Sequence, residues 1–335
     1  MTSCPHAPTA ASRRRFLKVV AAHSAALLAA GGFSRLAAAA RPQSRLIRWQ
    51  GIALGTGVSI ELFSDDIAAA QEALKACRLE IQRLEAIFSL YDARSAVGRL
   101  NRDGVLPAAP AELIELIRLA EGFSESTDGA FDITIQPLVE LLQAKRGAAS
   151  DAEIAAALAL VDHRGIACDG TSIRFARRGM CITLNGVAQG YITDRVADQL
   201  RGRGFDHTLI DLGEKRALGA HPEGRPWGIG IESSCAAGTL AGSLELADRA
   251  LATFGGYSEV FTAGGRHHLL DARTGSSHQT LASISVLAPR AVVADALSTC
   301  LGVCEASRAQ SILANFPAVE GWVIDAGTRT FRRIG

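Results

Sequence analysis

The 335-residue chain has no C-x-x-C pair, no G-x-G-x-x-G run and no long apolar stretch after its first 40 residues. The first absence excludes a paired-thiol redox centre, and the second removes the dinucleotide-binding fingerprint. The third leaves nothing in the body of the chain long enough to span a bilayer. A large charge excess is lacking too, since 35 basic residues face 34 acidic ones. Five of the basic residues, Arg13, Arg14, Arg15, Lys18 and Arg35, fall within residues 1 to 40, which hold no acid. From residue 41 onward 30 basic residues meet 34 acidic ones, a balance of −4 that argues against nucleic acid or an anionic membrane as a partner.

The N-terminal segment carries Ser12-Arg13-Arg14-Arg15-Phe16-Leu17-Lys18, an alanine-rich apolar stretch, and Ala38-Ala39-Ala40 before Arg41 and Pro42. This pattern is that of a twin-arginine export signal with a small-residue cleavage site near residue 40. A basic arm or a membrane anchor is the plainer alternative. His23, Ser24, Gly31, Gly32 and Arg35 interrupt the segment and make it a poor permanent span. The expectation is a signal peptide over residues 1–40 and a periplasmic protein over residues 41–335, without stable membrane insertion. Those 295 residues suffice for one large or two intimate domains with a substantial core. Cys4 lies in the leader. Cys77, Cys168, Cys181, Cys235, Cys300 and Cys304 sit mostly in apolar patterns and read as buried free thiols. Cys300 and Cys304, one helical turn apart, read as core rather than as metal ligands.

Strands and helices are mixed along the chain. Ile52 to Phe63 alternates as a strand, loosened by Gly55-Thr56-Gly57. A helix follows from Asp65 and Asp66, with Ser64 as its cap and Ile67, Ala70, Leu74, Cys77, Ile81, Leu84 and Phe88 as its apolar stripe. Glu112 to Ser124 is a second helix, with Leu113, Ile114, Ile117 and Ala120 inward, and Ser150 to Glu153 is a capping box opening a third. Thr208 to Leu212, Trp227 to Glu232 and Gly242 to Leu246 read as strands, and Leu251 to Gly256 as a glycine turn before Tyr257.

The central stretch is Leu184-Asn185-Gly186-Val187-Ala188-Gln189-Gly190-Tyr191-Ile192-Thr193-Asp194. It follows the apolar run Met180 to Leu184 and opens a helix in which Ile192, Val196 and Leu200 recur, giving the order strand, glycine turn, helix. Gly186 and Gly190 allow close backbone approach, and the helix start favours an anion such as phosphate. Two glycines alone more often mark an ordinary tight strand-to-helix connection than a ligand site. Further along, Val292 to Leu301 is a helix whose Asp295 and Thr299 share a face. An acid and a hydroxyl there form a side-chain hydrogen bond or hold a hard cation such as Mg²⁺. Tyr91 with its polar neighbours, and the Asp128-Gly129-Ala130-Phe131-Asp132 turn, are ordinary surface turns or walls for a flat ring and its ribose.

Taken in order, Leu54-Gly55-Thr56, Ser89 to Asn101, Thr127 to Leu138, Leu184 to Asp194, His268 to Gly275 and Ala294 to Thr299 resemble the ApbE-like FAD:protein FMN transferases over nearly the whole chain beyond the leader. Members of that family move FMN from FAD onto a threonine or serine of an acceptor protein through a phosphoester, release AMP and require Mg²⁺. The resemblance implies an α+β, T-fold-like domain of antiparallel sheets with packed helices and the nucleotide in a cleft between halves. It implies that Asp295, Thr299 and the Gly186 carbonyl hold Mg²⁺. Leu54, Tyr91, Ala130, Phe131, Asp132, Thr183, Gln189 and Leu269 would contact FAD. His268 would activate the acceptor hydroxyl, with His267 beside it, and Asp271 and Arg273 would order the loop that carries it. A neutral imidazole taking the hydroxyl proton is typically worth ~10² to 10⁴ in rate.

The sequence departs from the family pattern in three places. Gln189 stands where a lysine is usual, Thr183 where an aspartate is usual, and Asp211-Leu212-Gly213-Glu214 replaces Asn-x-Gly-Gly-Asp. These departures, with Arg216-Ala217-Leu218-Gly219 and the leader, resemble the NosX branch, an accessory of periplasmic nitrous oxide reductase systems. The acceptor implied there is the membrane-bound electron donor NosR. Two other readings stay open on the residues: a protein that binds or delivers FAD without catalysis, which Gln189 favours, and an FAD pyrophosphatase in which water replaces the acceptor.

Overall fold

The computed structural model describes residues 44–233, 238–255, 270–276, 281–304, 306–325 and 328–334. In chain order the first half holds β1 (Arg45–Ala53), β2 (Thr56–Ser64), α1 (Ile67–Phe88), α2 (Ala96–Asp103), β3 (Val105–Leu106), α3 (Ala111–Ser126), α4 (Gln136–Ala144), α5 (Asp151–Leu158), β4 (Ile166–Cys168) and β5 (Ile173–Phe175). The second half holds α6 (Ala188–Arg201), β6 (Thr208–Asp211), β7 (Lys215–Leu218), β8 (Trp227–Glu232), β9 (Leu240–Leu246), β10 (Ala250–Gly255), β11 (Leu281–Ala288), α7 (Ala291–Val303), α8 (Ala306–Ala314), β12 (Glu320–Asp325) and β13 (Phe331–Ile334). The main sheet runs β1-β2-β6-β7-β10-β11-β12-β13, and every neighbouring pair is antiparallel. Its edges, β1 and β13, are not paired to each other, so the sheet stays open. Two smaller sheets, β3-β5-β4 and β8-β9, complete the expected α+β architecture. Among the described residues no helix is long and apolar enough to cross a membrane.

The core forms where the apolar stripes of α1, α3, α6 and α7 meet the inner face of the main sheet. On α1 the expected stripe is buried from Ala70 through Phe88, but Ile67 at its start is 41% exposed. The cap of α1 is Asp66, whose Oδ1 accepts the Ala69 N–H at 2.9 Å, while Ser64 Oγ accepts the N–H of Asp66 itself. On α5 the capping box between Ser150 and Glu153 is complete in both directions.

Three of the sequence-based segments differ. Ile52 to Phe63 is not one strand but the end of β1, a two-residue turn and β2. Leu54 (φ 54°) and Gly55 (φ 75°) both adopt the left-handed region that tight hairpin turns need. Met180 to Leu184 has no regular secondary structure and joins no sheet. Asn101 substitutes for a neighbouring strand: its Nδ2 donates to Ile182 O and its Oδ1 accepts the Ile182 N–H, both at 2.8 Å. Leu251 to Gly255 lies within strand β10, paired with β11, instead of forming a turn.

The contact between α6 and α7 fixes the middle of the molecule. Neither helix caps its own N-terminus, because Val187 and Arg290 at the cap positions offer no side-chain acceptor. Each helix supplies an acid to the other instead. Asp194 on α6 accepts the Ala291 and Val292 N–H groups of α7 at 2.9 and 3.0 Å, and Asp295 on α7 accepts the Gly190 N–H of α6 at 2.9 Å. Gly190 permits this closeness, since a Cβ there would lie 2.4 Å from the Ala291 carbonyl oxygen. Asp194, 1% exposed, also pairs with Arg216 of β7 at 3.1 Å and Arg290 at 3.2 Å. Removing one member of such a buried pair strands the other charge, a cost of roughly 3–5 kcal/mol. Asp194→Ala is therefore expected to lose at least about 3 kcal/mol of unfolding free energy in urea titrations. Wild-type stability in that variant is the contrary result.

Candidate functional site

A cavity of about 580 Å³ opens beside the α6–α7 crossing, within the size range of small-molecule sites. The first half of the chain supplies the apolar Leu90, Ala130, Phe131, Ile133, Ile135 and Val139, with Asp132, Gln136, Glu140 and Gln143 among them. The second half supplies a polar wall of Asn185, Gly186, Gln189, Glu214, Thr253, Asp295, Ser298 and Thr299, with Phe254, Leu270, Cys300 and Val303 beside it. The expected cleft between halves is thus present.

Three predicted metal ligands converge on the polar wall. Asp295 and Thr299 stand one turn apart on α7, and Gly186 packs so closely that a Cβ on it would lie 3.0 Å from Thr299 Oγ1. The Asp295 carboxylate, the Thr299 hydroxyl and the Gly186 main chain beside it offer hard oxygen donors of the kind that Mg²⁺ takes, so the residues present fit that ion. No cluster of three or more His, Cys, Asp or Glu side chains suited to a metal occurs among the described residues. Burial pushes the Asp295 carboxyl up to about 7, with the Asp194 charge adding to the rise and the Gly190 N–H opposing it. Glu214, also buried, is raised by burial and then by the Asp295 charge.

The predicted flavin contacts divide into several groups. Ala130, Phe131, Thr183 and Gln189 line the cavity, with Phe131 edge-on to Phe123 at 6.2 Å between ring centres. Tyr91 sits at the mouth, 84% exposed, with its hydroxyl 3.4 Å from Asn185 Nδ2. Its open ring is placed to stack rather than to pack. Asp132 lines the cavity, but its carboxylate is already engaged. Oδ1 accepts from Thr134 N (2.8 Å) and Oγ1 (2.6 Å), while Oδ2 accepts His163 N at 3.0 Å and lies 3.3 Å from His163 Nδ1. Asp132 thus ties the cavity wall to Thr134 and His163. Leu54 does not line the cavity; its N–H donates to Glu85 Oε1 at 3.1 Å in the β1–β2 turn.

His268, His267 and Leu269 lie outside the described residues, as do Cys4 and Cys235. Asp271 does order its loop: the Arg273 N–H and Nε donate to Asp271 Oδ1 at 2.9 and 2.8 Å, and the Gly275 N–H to its carbonyl at 2.7 Å. The described cysteines are free. Cys77, Cys300 and Cys304 are buried, while Cys168 and Cys181 are only partly so, which corrects the expectation for those two. Cys300 and Cys304 Sγ atoms stand 4.0 Å apart. Sequence reasoning did not assign site roles to Glu214, Thr253, Ser298 or Asn101. The β6–β7 hairpin turn carries Glu214, which sequence marked only as part of the Asp211–Glu214 departure, and the pairing of β10 with β7 and β11 brings Thr253 beside it.

The ApbE family model matches residues 54–323, most of the chain. The chain belongs to the ApbE family. A relative from Klebsiella pneumoniae, named FAD:protein FMN transferase, is 31% identical over 271 residues, covering 77% of this chain and 82% of the relative. One of the same name from Treponema pallidum is 28% identical over 299 residues, covering 82% and 83%. Among solved structures, the ApbE protein of Thermotoga maritima superposes with a TM-score of 0.77 at 27% identity, covering 86% of this chain and 97% of that one. The apo form of Pseudomonas stutzeri flavinyl transferase ApbE gives 0.75 at 26%, covering 87% and 95%. The ApbE fold of this chain thus extends across nearly all of those chains.

The raised Asp295 gives the ApbE site a pH signature. Its folded-state value of about 7 lies above its ordinary 3.8, so the unfolded chain releases this proton first as pH rises. Stability of the metal-free protein should therefore fall between about pH 4 and pH 7, and Glu214 acts in the same direction. Urea midpoints in a chelator-containing buffer measure this, and Asp295→Asn should flatten the slope. An identical slope in that variant assigns the effect elsewhere.

Proposed function

We propose that this chain is an FAD:protein FMN transferase, as its Klebsiella and Treponema relatives are named. The observation that carries the reading is the cavity in which apolar side chains such as Leu90, Phe131 and Val139 suit a flavin ring and Gly186, Asp295 and Thr299 come together. Asp295, Thr299 and the Gly186 carbonyl hold Mg²⁺, which, when bound, supplies the positive charge that a pyrophosphate under attack requires. That supply matters here because no Lys, Arg or His lines the cavity among the described residues. Phe131 and Ala130 exclude water from the ring side, and Tyr91 stacks at the mouth. The acceptor hydroxyl oxygen forms the new bond to the FMN phosphorus, the bond to AMP breaks, and His268 takes the hydroxyl proton.

The finer reading joins several features. Residues 1–40 export the protein through the twin-arginine route, and residues 41–335 act in the periplasm. The acceptor is a protein threonine or serine, that of NosR in a nitrous oxide reductase system if the NosX resemblance holds. Gln189 gives hydrogen bonds where a lysine would give charge, which leaves the cation as the main counter-charge to FAD.

Incubation of the purified protein with FAD, Mg²⁺ and a periplasmic acceptor domain, followed by intact mass spectrometry, tests the reading. The acceptor is expected to gain one FMN moiety, and the gain should vanish with chelator, with Asp295→Asn, or when the acceptor threonine is replaced. Asparagine keeps an oxygen for the Gly190 N–H, so this variant is expected to fold. Bound but intact FAD with an unmodified acceptor favours the delivery protein. Free FMN and AMP without an acceptor favour the pyrophosphatase.

A further inference from the structure

Two acids of the cavity, Glu140 and Glu214, have no task in the proposed chemistry, and of the two only Glu214 keeps a buried oxygen without a partner among the described residues. It occupies the turn between β6 and β7, is only 9% exposed, and lines the cavity together with Gln189, Thr253, Asp295 and Thr299. Its carboxyl accepts the Thr253 backbone N–H. Its Oε2 is buried with no hydrogen-bond partner. Buried carboxylate oxygens in that condition cost several kcal/mol unless a proton or a cation reaches them. The neighbouring basic residue, Lys215, is turned to Asp211, with Nζ 3.4 Å from Asp211 Oδ2, and does not line the cavity. Asp295 is the strongest charge acting on Glu214.

Backbone geometry holds the side chain there. Gly213, at φ 101°, has the conformation that L side chains rarely adopt, and a Cβ on it would lie 2.8 Å from Gln189 Nε2. The turn is therefore pressed against the Gly186–Gly190 segment, and the residue after Gly213 enters the cavity instead of solvent.

We infer that Glu214 is a second carboxylate ligand of the cation held by Asp295, Thr299 and the Gly186 carbonyl. The inference rests on the proposed Mg²⁺ site and extends it to a residue of this chain within the Asp211–Glu214 stretch that departs from the family pattern. Two carboxylates on one divalent ion neutralise its charge and raise its affinity, since ligand charge count is a main determinant of affinity for hard cations. The structure assigns this chain a cation site less dependent on nucleotide phosphates than a single-carboxylate site.

The test is binding of Mn²⁺, and of Mg²⁺ by competition, to the purified nucleotide-free protein, followed by electron paramagnetic resonance. The Glu214→Gln variant is expected to bind at least about tenfold more weakly than wild type. In the wild-type protein labelled with ¹³C-glutamate, a Mg²⁺-minus-apo infrared difference spectrum should contain an isotope-shifted carboxylate band. Because Glu140 also lines the cavity, persistence of that band in Glu140→Gln assigns it to Glu214, which decides the matter even if Glu214→Gln does not fold. Wild-type metal affinity in Glu214→Gln, or a difference spectrum without an isotope-sensitive band, overturns the role of Glu214 and leaves the Asp295 site standing. Failure of the wild-type protein to bind either ion overturns both.

Discussion

The crossing of α6 and α7 rests on an exchange of carboxylates. Each helix begins without a cap of its own and receives one from the other, Asp194 in one direction and Asp295 in the other. The free N–H groups of a helix start carry partial positive charge, so an acid aimed at them from outside satisfies both hydrogen bonding and the helix dipole. The arrangement works only because Gly190 lets the backbones approach, and the same approach brings Gly186 against Thr299. Architecture and site are thus set by one contact. A shift of α7 along α6 breaks the caps and separates the oxygen donors together.

A second consequence is electrostatic. Asp194 is balanced by Arg216 and Arg290 on the far side of the crossing, whereas Asp295 faces the cavity and meets no guanidinium there. Asp194 follows Gly190 by four residues on the same helix, whereas Asp295 lies 105 residues further along the chain and reaches Gly190 only through the fold. Their surroundings separate a structural carboxylate from one left available for chemistry. Glu214 joins the second class, and Asp132, with both oxygens engaged by Thr134 and His163, joins the first.

Much of this was legible in the residues. The apolar stripe of α1, the capping box of α5, the helix that begins after Val187 and the Asp295–Thr299 spacing on α7 all come from short-range periodicity, which depends only on the 3.6-residue helical repeat. The β1–β2 hairpin was less legible because, although burial alternates along Arg45–Ala53, the apolar Leu46 and Ile52 occupy exposed positions and blur the alternation in the sequence. Met180 to Leu184 misled for a different reason. Its apolar content is that of a core strand, yet its polar backbone is served by the Asn101 side chain, about eighty residues earlier in the chain.

The sequence by itself determined the local elements, the order of the motifs and the chemical types of donor available, because these follow from neighbouring residues and from side-chain identity. The tertiary structure alone decided which acids are spent and which are free. Asp132, Asp194, Glu214 and Asp295 are equivalent as letters, but burial and the N–H groups and guanidiniums delivered by distant segments give each a different environment. A carboxylate's chemistry depends on desolvation and on partners within a few ångströms, and only the folded chain brings those partners together.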